Sequence, residues 1–365
     1  MNVGTNVPMI LPMVGTSVTF LIFAGILLLL AGIYFISSKE KPVKPAVGVI
    51  LFVICCILGH DSSFAFWQKD LTYEGESVYN YLQVYEDDRK VVLSTNVLFG
   101  VQSIYLKNDG LTGMYYDYAM AAPLMAGVNE KDHLDVLILG MGTGTFATQC
   151  DRYFDNLGVE GVEIDQKITD LASEYFALSG DVKVTTYDGR AYLNAIEETY
   201  DVIMVDAYQD ITIPFQMSSR EFFTSVKKHL NKDGVMVVNM NMRGSKEGNI
   251  NQYLADTISD VFGEVYTVDV AGSTNRELFA SDNAKLLTVF SQNVSLEENE
   301  GLFDMMNRVE GNLQEYKAGG HIMTDDKAPV ELLGMQVIDE LIEDEVTYYK
   351  DIYNEQGLSG LMEHL

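Results

Sequence analysis

A doubly wound, mostly parallel α/β sheet is the fold class this sequence predicts, and three observations predict it. Short continuous apolar runs recur from residue 135 onward, helix-like stretches fill the gaps, and small or acidic residues close each run. Buried parallel strands read as unbroken apolar segments because helices cover both faces of such a sheet. The runs are 135–140 (DVLILG), 159–165 (VEGVEID), 181–188 (DVKVTTYD), 201–206 (DVIMVD) and 234–240 (GVMVVNM). Helices are expected over 145–155, 166–178, 190–198 and 218–230, the last opening on Ser218 and Ser219 as N-caps. Two later segments, 264–270 (EVYTVDV) and 285–291 (KLLTVFS), are expected to add an antiparallel pair at one edge.

Upstream the pattern differs. Between Tyr73 and Tyr105 short β-prone runs (VYNYLQVY, KVVLST, LFGVQSIYL) are separated by turn-prone breaks such as Glu86-Asp87-Asp88, which predicts a small antiparallel sheet. A helical stretch follows over 114–126. Four divisions result: a membrane anchor over 1–70, a small β domain over 71–112, the nucleotide-binding domain over 113–295 and a helical extension over 296–365.

The anchor rests on 17–35 (SVTFLIFAGILLLLAGIYF), nineteen residues without a charge. At 1.5 Å per residue they span about 28 Å, close to the hydrocarbon thickness of a bilayer. The helix is expected over 17–36. Lys39, Lys41 and Lys44 follow, a basic cluster of the kind held on the cytoplasmic side. A second apolar run, 46–58 (AVGVILFVICCIL), is short for a span. Were it to cross, the large domain would face outward; lying in the interface, it would leave that domain inside.

Beyond residue 70 the chain is acidic, and the net charge of the 365 residues is −29. Such a surface repels phosphate backbones, so nucleic acid is not an expected partner, whereas a cationic amine would be drawn in. Three cysteines form no disulfide framework. The five histidines (His60, His133, His229, His321, His364) lack metal-ligand spacing, so no metal is expected.

Four features fall at the C-terminal ends of successive predicted strands, where ligands bind in such sheets. Gly140-Met141-Gly142-Thr143-Gly144 joins the first strand to a helix, and its glycines permit a tight turn with close backbone approach to a ligand. Glu163 closes the second strand with Asp165 beside it. It lies 23 residues after Gly140, near the spacing at which an acid meets ribose hydroxyls. Asp188-Gly189 follows the third strand, placed to hold an adenine amino group. Asp206 ends the fourth; an acid after an apolar strand is partly desolvated, which raises its pKa and suits it to general-base work. A dinucleotide would need a similar glycine loop and acid, but acids after strands two, three and four fit an S-adenosyl ligand better. The sheet is therefore expected to be Rossmann-like and of the S-adenosylmethionine-dependent transferase type.

These residues resemble the spermidine synthase (polyamine aminopropyltransferase) family over roughly residues 73–266. VLILGMGTGT resembles its glycine loop, VEID its ribose-binding acid, YDGRAYL its adenine-binding Asp-Gly and DVIMVDAY its catalytic strand end. LFGVQSIY and YYDYAMAAPLMAG resemble its substrate-side segment. The resemblance implies transfer of an aminopropyl group from decarboxylated S-adenosylmethionine to an amine, with Asp206 as base. It places Gln102, Tyr115, Tyr116, Tyr208 and Asp210 near the substrate. Three positions depart from the family pattern. Thr143 stands where the loop carries an Asp that pairs with the donor amine. Gln209 stands where a second Asp follows the first, with Asp210 one step on, and Asn80 stands in place of a Gln. The anchor, DAYQDITIPFQM and TDDKAPVE (324–331) look more like a membrane-fused branch; TDDKAPVE is read as a structural turn rather than a lid.

Two other readings share these residues: a methyltransferase using intact S-adenosylmethionine, for which Thr143 is an ordinary loop residue, and a non-catalytic nucleotide-binding module. The partners expected are a small-molecule amine, a membrane reached through the N-terminal segment and, as an open option, a second copy of the chain. The nucleotide is made in the cytosol, which favours a membrane-anchored protein with its catalytic domain on the cytoplasmic side.

Overall fold

The computed structural model describes residues 10–38, 43–59, 71–95, 100–208, 213–240 and 247–364. The chain divides into two compact units, Met1–Lys107 and Asn108–Leu365.

The first unit opens with two apolar helices, α1 (Ile10–Ser38) and α2 (Val43–Gly59). A break at Gly15 leaves Gly15–Ser38 as a helix of 24 residues with mean hydropathy 2.6 and no buried part. By length and composition it is sufficient to cross a membrane, whereas α2, with 17 residues, is shorter than a span of about 20 needs. Small residues let the pair approach: a Cβ on Gly25 would lie 3.2 Å from the Phe52 ring, and one on Gly48 would lie 3.2 Å from Leu28. Four antiparallel strands follow in sequential order, β1 (Tyr73–Glu76), β2 (Tyr81–Glu86), β3 (Lys90–Thr95) and β4 (Val101–Leu106). The β2–β3 turn is closed by Asp87, whose carboxylate accepts from the backbone N–H of Arg89 and Lys90. Leu82 and Val84 face Val91 and Leu93 in the buried interior of this sheet.

The second unit carries the α/β sheet. Two short helices, α3 (Tyr115–Ala119) and α4 (Ala121–Met125), precede it. Then come β5 (Leu134–Leu139), α5 (Thr145–Tyr153), β6 (Leu157–Glu163), α6 (Gln166–Tyr175), β7 (Lys183–Thr186), α7 (Gly189–Leu193), β8 (Tyr200–Val205), α8 (Arg220–Lys228) and β9 (Leu230–Met240). After them lie α9 (Ile250–Ser259), β10 (Glu264–Asp269), β11 (Arg276–Ser281), α10 (Leu286–Ser295), α11 (Glu300–Asn312), β12 (Gln314–Glu315) and α12 (Val330–His364). The eight strands lie in the order β12-β10-β11-β9-β8-β5-β6-β7. β9, β8, β5, β6 and β7 run parallel, and β11, β10 and β12 extend the sheet antiparallel. The parallel strands carry the apolar runs read from the sequence; all of Val202, Ile203, Met204 and Val205 in β8 are fully buried. On one face Leu137, Ile203, Met236 and Leu278 pack with Phe222 and Phe223 of α8 and with Leu254 and Ile258 of α9. Ser219 caps α8 as expected, accepting from the Phe222 N–H, while the Ser218 hydroxyl donates to the Phe215 carbonyl.

One edge differs from expectation. Residues 285–291 form the start of α10, not a strand, and the antiparallel partner of β10 is Arg276–Ser281. The β-prone Thr288 and Val289 suggested extended structure, but the buried residues Leu286, Phe290, Asn293 and Val294 recur at helical spacing. RELFAS carries a weak strand signal because its charged start, Arg276-Glu277, interrupts the apolar run that marks a strand.

TDDKAPVE is tied to the sheet domain by side chains. Asp325 accepts from both terminal nitrogens of Arg190 at 2.7 and 2.6 Å and from the Ser219 hydroxyl. Its own N–H donates to Glu221, and Val330 and Leu333 then enter the core at the start of α12. Asp256 anchors the preceding loop, accepting from Tyr316, from the backbone of Gly319 and His321, and lying 3.1 Å from His321 Nδ1.

The sheet order places its switch point between β5 and β8, since the chain winds outward in opposite directions from these neighbours. Their ends are in direct contact there: the Asp206 N–H donates to the Leu139 carbonyl at 2.9 Å. Gly140 has φ +83°, and a Cβ on it would lie 2.6 Å from Ala207 Cα. We therefore expect Gly140→Ala to destabilise the protein by about 3 kcal/mol, from left-handed strain plus backbone overlap. Denaturant titration of the full-length protein in detergent checks this; a loss within experimental error would show that the two strand ends do not need this close approach.

Candidate active site

Four chain segments meet at the C-terminal edge of the parallel strands, and the apolar strands end there with polar side chains. Asp206 follows β8 and is half-buried. Tyr115, on α3, donates its hydroxyl to Asp206 Oδ2 at 2.8 Å, and Asn239, on β9, donates its amide to Asp206 Oδ1 at 2.9 Å. Asn275 in turn donates to the Asn239 carbonyl oxygen at 2.8 Å, which fixes the amide with its NH₂ towards Asp206. Burial pushes the Asp206 carboxyl up to about 7, against the two hydrogen bonds, which favour the ionised form; the Glu163 charge adds to the rise. A carboxyl poised near neutrality and aimed by two donors is the arrangement a general base requires.

Tyr115 is itself held firmly. Its ring lies 4.0 Å from that of Tyr116, centroid to centroid, and both residues are buried. Burial, then the nearby Asp206, raises the Tyr115 hydroxyl well above its ordinary range, so it stays a donor. The turn into α3 is organised by Asp117, a buried carboxyl that accepts from the N–H and hydroxyl of Thr112 and from the Gly113 N–H. That turn sets where Tyr115 begins the helix.

The glycine loop follows β5. Gly140, Gly142 and Gly144 all have positive φ, and Gly144 caps α5, with Thr143 buried between them. Glu163, at the end of β6, is buried; its Oε2 accepts from the Gly142 N–H at 2.8 Å and its Oε1 from the Asp165 N–H at 2.9 Å. The carboxylate thus braces the loop against the neighbouring strand. Burial raises its pKa in spite of these bonds. Asp165 is the N-cap of α6, accepting from the Lys167 N–H. Asp188 is the N-cap of α7, accepting from the Ala191 N–H at 2.8 Å and from Gln216 at 3.3 Å, and Gly189 begins that helix.

Gly140, Gly142, Thr143, Gly144, Glu163, Asp165, Asp188, Gly189 and Asp206 therefore end or follow adjacent strands on one edge. Tyr115 joins them directly, with Tyr116 against it. Tyr208 is buried, and its hydroxyl donates to the Met217 carbonyl. Gln102 lies on β4 in the first unit, and Asp210 lies outside the described residues. Asn239 was not singled out from the sequence, although it is the one polar side chain near the end of the apolar run GVMVVNM. No cluster of metal-binding side chains occurs among the described residues.

Comparison with known proteins agrees with this arrangement. Residues 114–274 match the spermine/spermidine synthase domain. A probable polyamine aminopropyl transferase of Bifidobacterium longum is 50% identical over 347 residues, covering 90% of this chain and 77% of the relative. A polyamine aminopropyltransferase of Vibrio vulnificus is 27% identical over 242 residues, covering 64% and 78% respectively. Among solved structures, a probable spermidine synthase of Corynebacterium glutamicum shares the fold, with TM-score 0.51 and 17% identity over 68% of this chain and 96% of that one. The acid after β8, the braced glycine loop and half-identity across most of both chains lead to one statement: this chain belongs to the polyamine aminopropyltransferase (spermidine synthase) family.

Proposed function

We propose that this protein transfers an aminopropyl group from decarboxylated S-adenosylmethionine to an amine, with Asp206 as general base. One observation carries the reading: a carboxyl with its pKa near 7, gripped by Tyr115 and Asn239, stands beside the glycine loop in a member of this family. An alkyl amine titrates near ~10, so it arrives protonated and must lose that proton to attack. Asp206 takes the proton; the nitrogen lone pair forms a bond to the methylene next to the sulfonium. The carbon–sulfur bond breaks, its electron pair stays on sulfur, and neutral methylthioadenosine leaves.

In this reading Gly140, Gly142, Thr143 and Gly144 cradle the nucleoside, and Asp165, Asp188 and Gly189 line it towards the adenine. Glu163 accepts two backbone bonds and keeps lone pairs for a ribose diol. Tyr115, Tyr116, Tyr208 and Asp210 attend the acceptor. The division of labour follows: residues 1–70 anchor the protein to a membrane, 71–112 form a small β domain, 113–295 carry the chemistry and 296–365 brace it. The catalytic part faces the cytosol, where the donor is made.

Methyl transfer from intact S-adenosylmethionine is the chemistry the same fold offers instead, and calorimetry separates the two. Decarboxylated S-adenosylmethionine and methylthioadenosine should bind more tightly than intact S-adenosylmethionine and S-adenosylhomocysteine; the reverse order selects methyl transfer. Asp206→Asn should cut kcat by about 10²- to 10⁴-fold while methylthioadenosine still binds, as removal of a general base does. The same substitution also bears on stability. With its folded pKa raised, Asp206 contributes stability that is present below its ordinary value near 3.8 and lost as pH rises through about 7. Relative to wild type, Asp206→Asn should therefore gain thermal stability between pH 5 and pH 8, and a gap that does not widen would contradict the buried-acid account.

The pH–rate profile tests the two donors. Activity should rise with pH along a limb centred near 7, since the base must be ionised. Tyr115→Phe removes a bond that favours ionisation, so the limb should move to higher pH by up to about one unit. A limb that stays in place, or moves down, would separate Tyr115 from the base.

A further inference from the structure

The turn between β10 and β11 is built from its own hydrogen bonds. The Ser273 N–H donates to the Val270 carbonyl at 3.2 Å, and the Val270 N–H donates to the Asn275 carbonyl at 3.0 Å. Gly272, with φ +74°, holds the third position, where a type II turn needs a positive φ. The turn is also tied to the helix that carries Tyr115: the Ala271 N–H donates to the Tyr118 hydroxyl on α3 at 3.1 Å. Residues 271–274 are exposed, Asn275 is half-buried and Asn239 is buried.

From this turn a line of hydrogen bonds runs inward to the base, and every link points the same way. The Ser273 hydroxyl donates to Asn275 Oδ1, while its oxygen accepts from the Asn275 N–H. Asn275 Nδ2 donates to Asn239 Oδ1 at 2.8 Å, and Asn239 Nδ2 donates to Asp206 Oδ1 at 2.9 Å. A side-chain amide donates on one side and accepts on the other. An Asn239 able to turn over would therefore serve either form of the acid, its NH₂ meeting the carboxylate or its oxygen meeting the proton of the neutral carboxyl. Turned over alone, it would set its NH₂ against that of Asn275, two donors face to face away from water. The reverse arrangement needs both amides to turn together, and it loads the Ser273 oxygen with two donors.

Titratable groups face Asp206 from three other elements: Tyr115 from α3, Glu163 from β6 and Glu277 from β11. Glu277 is fully buried, and neither of its carboxyl oxygens has a hydrogen-bond partner among the described residues. Burial and the Glu163 charge already press the base towards its neutral form. A partner that also accepted from that form would hold it there.

We propose that Asn275 is a positioning residue for the base: it keeps Asn239 a donor, so that the amide binds the ionised carboxylate and offers no acceptor to the neutral acid. This rests on the aminopropyl-transfer reading above, in which Asp206 must be ionised to take the proton of the amine. Asn275 acts through Asn239, and the Ser273 hydroxyl, one link further out, sets which way Asn275 faces.

The test uses the full-length protein in detergent, with decarboxylated S-adenosylmethionine and 1,4-diaminobutane. Asn275→Leu keeps a similar size and removes the lock. The limb of the pH–rate profile should move up by about half a unit to one unit, the worth of one hydrogen bond. Activity on the acid side of the limb should then fall about 3- to 10-fold and change little on the plateau, whereas a merely structural loss lowers both alike. Ser273→Ala should move the limb the same way by less, because water at that exposed site can donate in place of the hydroxyl. In Asn239→Leu no amide remains to turn, so adding Asn275→Leu should move the limb no further. A second readout needs no turnover. The stability gap between Asp206→Asn and its parent widens with pH up to the folded pKa of Asp206 and then levels. In the Asn275→Leu background it should level at a pH higher by the same amount. A limb that stays or moves down, an equal loss at every pH, or a full further shift in Asn239→Leu would overturn the proposal and leave the transfer reading intact. Wild type that transfers to no amine would sink the transfer reading, and the pH at which the gap levels would still decide the role of Asn275.

Discussion

The adjacency of β5 and β8 is the constraint on which the rest depends. Because the chain winds away from these two neighbours in opposite directions, a crevice opens between their C-terminal ends. Gly140 turns at the end of one and Asp206 stands at the end of the other, joined by the bond from the Asp206 N–H to the Leu139 carbonyl. Every polar group discussed above is placed relative to that pair. A residue with a side chain at Gly140 would force the strands apart, and the acid would move away from the loop.

Concentrating acids at one edge carries a cost. Burial disfavours Glu163, Asp206 and Glu277 as anions; the Glu163 charge adds to the rise at Asp206, and the Asp206 charge adds to the rise at Glu277. The fold offsets this with directed donors at two of the three sites. At Glu163 they are backbone N–H groups, which also tie the glycine loop to β6; at Asp206 they are side chains from α3 and β9. Backbone donors suit a permanent brace. Side-chain donors suit a group that must change protonation, because a tyrosine hydroxyl can adjust when the charge changes. This division accords with one acid holding the site together and another doing its chemistry.

The parallel core was legible because burial on both faces leaves no room for alternation: DVLILG and DVIMVD can hardly be read otherwise. Their terminal residues, Gly140 and Asp206, were legible for the same reason, as breaks in apolar runs. What the sequence concealed depends on long-range pairing. Tyr115 meets Asp206 across 91 positions and Asn239 meets it across 33, and neither contact has a local signature. The antiparallel edge was concealed differently. Arg276 and Glu277 make β11 look like a surface segment, whereas KLLTVFS, with the β-prone Thr288, Val289 and Phe290 in a row, resembles a strand. Local propensity gave way there to the helical spacing of Leu286, Phe290 and Asn293.

The misreading of β11 and the isolation of Glu277 share one cause. A carboxyl in a strand that is otherwise buried breaks the pattern by which such strands are recognised, and packing alone gives no reason to retain it. Glu277 is fixed by the ladder opposite Asn239 and is fully desolvated. Fixed and desolvated groups interact more strongly with an opposite charge and tolerate less variation in its position.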